Sequence, residues 1–235
     1  MSNQNKIAEL RSLLQARIDR DRLLGEQLAG LEIDEVPFWV VDVETTGDRS
    51  DQDRIIEVAA VKVREGEMQR IISTLVNPGR PVSNFARNLT GITNQMLAAA
   101  PPPAEVYPWL FSQLKKGVFV AHRASFDRSF IDLEARLLGL KPLTIPTICT
   151  VRLSRRLVFD LPGYSLDHIA AYFDLEFGIS PSPSSRHRAL GDAWVCARAF
   201  ISLLELAKKV GLRTFGELQQ LEAMPVRKAR NLWRI

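Results

Sequence analysis

The stretch FWVVDVETTGD, residues 38 to 48, constrains this chain more than any other. Aromatic and β-branched residues dominate its first half, which predicts a strand. Side chains alternate faces along a strand, so Asp42 and Glu44 share one face while Val41 and Val43 share the other. Gly47 ends the strand and leaves both acids at the end of a sheet, open to a ligand. Two carboxylates this close repel unless a cation lies between them. A divalent metal ion answers that requirement; two solvated acids at a surface strand end are the ordinary alternative.

The surrounding pattern fixes the fold class. Residues 55 to 63 and 71 to 76 read as two further strands, separated by a turn signal at Glu65, Gly66 and Glu67, and so as an antiparallel hairpin. Helical patterns then alternate with two more apolar stretches, 118 to 121 and about 147 to 150. The expectation is an α/β fold with a mixed five-stranded sheet flanked by helices. Before it, Ile7, Leu10, Leu14 and Ile18 mark an amphipathic helical extension, suited to packing on the main domain or to docking a second copy or another protein. AAAPPPAEV at 98 to 106 opens a helix running to about Leu114, with Trp109 on its apolar face. SPSPSSR at 180 to 186 reads as a loop, and Thr214 with Glu217 forms a capping-box pattern before a last short helix. The expected division is 1–35 helical extension, 36–210 main domain, and 211–235 short helix with a basic tail.

Two further segments carry acids in telling places. In AHRASFD, 121 to 127, Ser125 is in position to cap a helix whose first turn holds Asp127. In HRALGDA, 187 to 193, His187 stands at the start of a long helix and Asp192 lies in its first turns. Taken singly, Asp127 is an ordinary helix-dipole residue and His187 an exposed histidine beside a loop. Taken together with Asp42 and Glu44, four carboxylates sit at strand ends and helix starts, where α/β folds place their sites. All-oxygen ligation selects magnesium or manganese rather than zinc.

Composition narrows the partner. The chain has 235 residues and a net charge of +4, and 23 of its 31 basic residues are arginine. Arginine grips phosphate bidentately and stacks on bases, which suits a nucleic acid, although a genome-wide preference for arginine codons gives the same count. Cys149 and Cys196 are too few for a disulfide framework and are expected to be reduced. No run approaches the ~18 apolar residues of a membrane span, and the first residues lack the apolar core of a signal peptide, so a cytoplasmic location and no membrane partner are expected.

The motifs DVETTG, AHRASFD and HRALGD, in that order, resemble those of the DnaQ-like (DEDDh) 3′-5′ exonucleases over residues 36 to about 205. The wording is nearest the proofreading type found as the epsilon subunit of DNA polymerase III. The resemblance implies a ribonuclease H-like fold and two magnesium or manganese ions held by Asp42, Glu44, Asp127 and Asp192. It also implies His187 as general base, the backbone at Thr45 and Thr46 facing the 3′ hydroxyl, and Leu89 and Ile92 packing on the last base. Single-stranded 3′ ends are the implied partner, with a DNA polymerase as a possible second. The family's second motif usually has asparagine after the histidine, where this chain has Arg123, and where the family often has HGIT the stretch LTGIT at 89 to 93 has Thr90 in place of the histidine. These departures leave every ligand intact and bear on substrate contacts, Arg123 being placed to meet a phosphate or a local acid. Relatives acting on RNA, such as oligoribonuclease, and a weakly catalytic binding module of the same fold are the alternatives.

Overall fold

The computed structural model describes residues 26–177 and 187–233. Strands β1 (Phe38–Thr45), β2 (Ile55–Arg64) and β3 (Glu67–Leu75) form an antiparallel meander. Glu65 and Gly66 turn β2 into β3 with φ of 57° and 72°. Positive φ at both central residues gives the turn twist that matches a hairpin. Strands β4 (Val118–Ala121) and β5 (Thr147–Cys149) add in parallel on the other side of β1, giving the order β3-β2-β1-β4-β5.

Parallel neighbours require crossovers. Helices α1 (Asn84–Thr90), α2 (Asn94–Ala98) and α3 (Pro103–Leu114) connect β3 to β4, and α4 (Ala124–Leu137) connects β4 to β5. Beyond β5 come α5 (Thr150–Leu157), α6 (Leu166–Tyr172), α7 (Ala189–Lys209), α8 (Phe215–Ala223) and α9 (Val226–Trp233).

The sheet is covered on both faces, which explains why β1 and β2 are nearly continuous apolar runs. On one face Phe38, Val40, Ala59 and Val61 meet Val195, Phe200 and Leu203 of α7, with the Phe38 and Phe200 rings edge to face at 4.9 Å. On the other, Trp39, Val41 and Val43 meet Tyr107 and Phe111 of α3 and Phe130 and Ile131 of α4. A buried ion pair ties the second layer to the sheet: Arg54, just before β2, donates to Glu134 of α4 at 2.7 and 2.8 Å. Glu134 is fully buried.

The mixed five-stranded sheet flanked by helices is the one the sequence predicts. The capping box at Thr214 and Glu217 forms as read, with reciprocal side-chain bonds. Several details differ. The helix carrying Asp127 begins at Ala124, preceded by Arg123, and Ser125 is inside its first turn rather than its cap. Trp109 is 46% exposed, because α3 turns Tyr107, Leu110 and Phe111 to the sheet instead. The expected C-terminal tail is helical: Phe215, Leu218, Leu221 and Ala229 are buried in the same core as α7. Ile33 and Val36 join that core from the other end, held by an Ile33 N–H bond to Arg213 O at 2.8 Å. The ends assigned to an extension and a tail are thus continuous with the main core from about residue 31. The expected amphipathic helix falls outside the described residues apart from a helical 26–29, and the SPSPSSR segment falls outside them entirely. No helix among the described residues is long and apolar enough to cross a membrane.

Candidate metal centre and nucleic-acid cleft

Strand β4 pairs with β1 only along Phe38 to Val40, while β1 continues to Thr45 against β2. The second half of β1 therefore has an open edge at the carboxyl end of the sheet. Asp127 lies close to it, near enough for the Val43 N–H to act on its carboxylate. Burial pushes the Asp127 carboxyl up to about 7, against the lowering effect of the N–H groups of Val43 and of its own residue. The helix that carries it is aimed by Arg123, whose φ of 72° and ψ of 49° are left-handed. Asparagine tolerates that conformation better than most residues, a local reason for the family's usual asparagine and for the strain Arg123 carries here.

Asp42 and Glu44 continue the face of β1 that holds Phe38 and Val40, and so look towards α7. The β1–β2 register shifts between Glu44 and Thr45, a bulge that ends regular pairing beside the acids. Asp192, in the first turn of α7 and 6% exposed, completes the group. One carboxylate oxygen from each of Asp42, Glu44 and Asp192 lies within 4.8 Å of the others. A hard divalent cation binds oxygens at ~2.0–2.6 Å, so small side-chain adjustments bring all three onto one ion, and the donors are all hard oxygens. The residues present fit a divalent cation. Asp127 lines the same cleft outside this tight set.

His187 lines the cleft immediately before the α7 N-cap residue, Arg188, and has φ of 60°. Its position depends on a residue that sequence reading passed over. Glu57 of β2 sits directly across from Glu44 in the register and is 4% exposed. Its carboxylate accepts Arg188 Nε at 3.0 Å, Arg188 Nη2 at 2.7 Å and the Ala189 N–H at 2.9 Å. Like charges directly opposite on a sheet destabilise it, and the Arg188 guanidinium offsets that repulsion. The hydrogen bonds to Glu57 raise the Arg188 pKa, with Glu44 adding to the same effect. A strand carboxylate thus pins the start of the helix that brings His187 and Asp192 to Asp42 and Glu44. The signal was present: one acid inside the apolar run IIEVAAV, opposite a site residue.

Asp42, Glu44, Asp127, His187 and Asp192 all line one cleft of about 600 Å³. Thr45, Leu89 and Arg123 line it too. Thr46 and Ile92 do not. The Thr46 N–H goes to Arg54 O at 2.9 Å, its hydroxyl to Asp53 at 2.8 Å, and its carbonyl accepts the Ser83 hydroxyl at 2.8 Å, so its polar groups are engaged within the protein. Ile92 is fully buried with Ile56, Val82, Ala86 and Leu97, where it supports α1 from beneath. The helix presents Phe85 and Leu89 instead, 74% and 43% exposed and one turn apart. Phe126, 37% exposed, lines the cleft from α4. Phe85 and Phe126 were missed in the sequence, because an aromatic residue in an amphipathic segment reads as core. Thr90 spends its hydroxyl on Ala86 O at 2.8 Å and the Ile92 N–H at 3.1 Å, closing the α1 terminus. His122 bonds Tyr164 O through Nε2 at 3.0 Å, so Nε2 carries the proton, and Thr150 Oγ1 through Nδ1 at 2.9 Å. It orders the wall of the cleft.

Residues 39–200 match the family model RNase_T, described as exonuclease. Among curated proteins, the chain is 38% identical over 197 residues to a PolC-type DNA polymerase III of Caldanaerobacter subterraneus subsp. tengcongensis, covering 84% of this chain and 13% of that protein. It is 38% identical over 192 residues to a DNA polymerase III subunit epsilon-like protein of Rhodobacter capsulatus, covering 80% and 27%. The chain thus spans only a minor part of these relatives. Among solved structures, Exonuclease X in complex with 5′ overhanging duplex DNA aligns with a TM-score of 0.57 and 26% identity, over 83% of this chain and 98% of that one. Exonuclease I of E. coli with a dT13 oligonucleotide has the same fold, with a TM-score of 0.65 at 16% identity over 75% and 42%.

Proposed function

The chain belongs to the exonuclease family, and from that premise we propose that it hydrolyses phosphodiester bonds from the 3′ end of single-stranded DNA, releasing nucleoside monophosphates with the help of two magnesium or manganese ions. The observation that carries this reading is the convergence of four carboxylates and one histidine, from three distant segments, on one cleft that also exposes Phe85, Leu89 and Phe126. Asp42, Glu44 and Asp192 would hold one ion among them, and Asp127 would help to hold the second. Bound divalent ions supply Lewis-acid stabilisation for the charge that builds on the phosphoryl and leaving oxygens.

The remaining steps fall to the chain's own groups. An imidazole nitrogen of His187 takes the proton of the attacking water, a transfer that histidine is suited to make near neutral pH. Arg123 and Arg155, exposed at the cleft, meet phosphates. Phe85, Leu89 and Phe126 stack on the terminal bases, which tolerates any sequence. DNA rather than RNA is favoured by the DNA polymerase relatives and by the DNA bound in the Exonuclease X structure. A polymerase partner and a cytoplasmic setting accompany this reading.

The test is a time course on single strands labelled at the 5′ end, DNA and RNA in parallel, with magnesium, manganese or EDTA. A metal-dependent ladder shortening from the 3′ end, faster on DNA, supports the proposal. Faster loss of RNA overturns the substrate, and no cleavage with tight binding retained overturns the enzyme.

A further inference from the structure

The family match ends at residue 200, yet the last helix of the chain is fastened to the wall of the cleft. Arg230 of α9 donates to Arg155 O at 3.0 Å, to Val158 O and to the Tyr164 hydroxyl, and its guanidinium lies 5.3 Å over the Phe159 ring. Tyr164 and Arg155 both line the cleft. Ala229 is fully buried, so α9 is seated by packing as well as by these bonds. The surface formed by α5 and α9 is cationic. Neither helix contains an acidic residue, and between 150 and 160 and between 224 and 235 the sequence has one acid, Asp160.

The cations on this surface divide by role. Arg156 is turned inward onto Met224 O and Arg152 O, and its pKa is lowered by burial first and then by Arg152 and Arg155 beside it. Arg152 is half-engaged, 3.5 Å from Glu222 with a side chain 53% exposed. Arg155 at the cleft, and Arg227 and Lys228 on α9, are exposed. Arg227 lies one turn from Arg230 and hence on the side of α9 that faces α5.

We propose that α5 and α9 form a track for the phosphate backbone of single-stranded nucleic acid, holding nucleotides on the 5′ side of the scissile bond as the 3′ end enters the cleft. The inference rests on the exonuclease reading and extends it beyond the matched region. A cleft floored with carboxylates attracts a polyanion poorly by itself, and positive charge beside the entrance supplies the attraction. The track would make the chain grip long strands better than short ones.

The experiment compares the full chain with an Arg227→Ala variant. Binding of a 5′-fluorescein dT20 strand is followed by anisotropy in EDTA over a range of salt, and turnover is followed on dT20 and on a dinucleotide in magnesium. Each lost phosphate contact on a single strand flattens the slope of log K against log salt by ~0.7, so the variant should lose about 0.7 of slope and bind ~5-fold more weakly at 0.1 M salt. The dinucleotide, too short to reach α9, should be turned over within twofold of wild type, and Arg227→Lys should restore most of the affinity. Unchanged slope and affinity on dT20 would overturn the track, whether or not the dinucleotide is cleaved. Failure of the wild-type chain to cleave either substrate would instead overturn the exonuclease reading, and the binding data would still decide the track.

Discussion

Replacing Glu57 by Gln changes almost no volume and removes one negative charge from beside the acidic cluster. The Glu57 carboxylate accepts three hydrogen bonds, two from Arg188 and one from the Ala189 N–H. A glutamine retains one acceptor oxygen and turns an amide N–H towards a donor. Bonds to charged groups contribute ~1.5–3 kcal/mol each, so keeping the two bonds to one oxygen while losing the third and setting an N–H against its Arg188 donor would cost about 3 kcal/mol in a dry site. The Arg188 side chain is 34% exposed and can rehydrate, which reduces the figure to ~2 kcal/mol. For a domain of this size that is a fall in Tm of about 4–8 °C. Relief of the repulsion between Glu44 and Glu57 acts in the opposite direction and is the effect this estimate must outweigh.

The catalytic consequence is separable. His187 and Asp192 flank the point that Glu57 pins, and a displacement of about 1 Å at a reacting group can cost ~100-fold in rate. For Glu57→Gln, kcat should fall ~10–100-fold with KM changed by less than about threefold. A double-mutant cycle with Arg188→Gln should return a coupling of ~1–2 kcal/mol in stability. A Glu57→Gln protein that melts within 1 °C of wild type and keeps its kcat would refute the positioning argument.

His187→Ala should lower turnover ~10²–10⁴-fold while leaving the rise in Tm on adding magnesium intact, measured by parallel kinetics and thermal melts. Phe85→Ala removes an exposed stacking platform and should raise KM for single strands by an amount equivalent to ~1–3 kcal/mol, with kcat little changed. Asp127 gives a pH signature in metal-free protein. Its pKa is raised to about 7, so the native state holds a proton that the unfolded state releases near 4; this contribution to stability is complete at low pH and is lost as pH rises through about 7. Urea midpoints at pH 5 and 8 should show that loss, and saturating magnesium should diminish it.

What the sequence reveals and conceals divides along physical lines. β1, its hairpin neighbours and the cap at Thr214 are local patterns of apolar period and side-chain capping, and they form as read. The acids could be placed on strand ends and helix starts for the same reason. Contacts between distant segments leave a fainter trace. Glu57 and Arg188 are 131 residues apart, Arg54 and Glu134 are 80, and nothing in either neighbourhood announces its partner. The face a helix buries is set by what it meets, and so Trp109 stays exposed while the basic C-terminal stretch becomes a seated helix. Ile92 and Thr46 illustrate the same limit, since a motif's spacing says which segment nears the site but not which of its residues faces it.

The central claim is that Asp42, Glu44, Asp127, His187 and Asp192 form one metal-dependent hydrolytic site. The most direct measurement follows a 5′-labelled DNA strand with wild-type protein and with Asp42→Ala, in magnesium, alongside a thermal melt of each. The account predicts a ladder shortening from the 3′ end that vanishes in the variant, together with a stabilisation by magnesium that the variant loses. An Asp42→Ala protein that degrades the strand at the wild-type rate would contradict it.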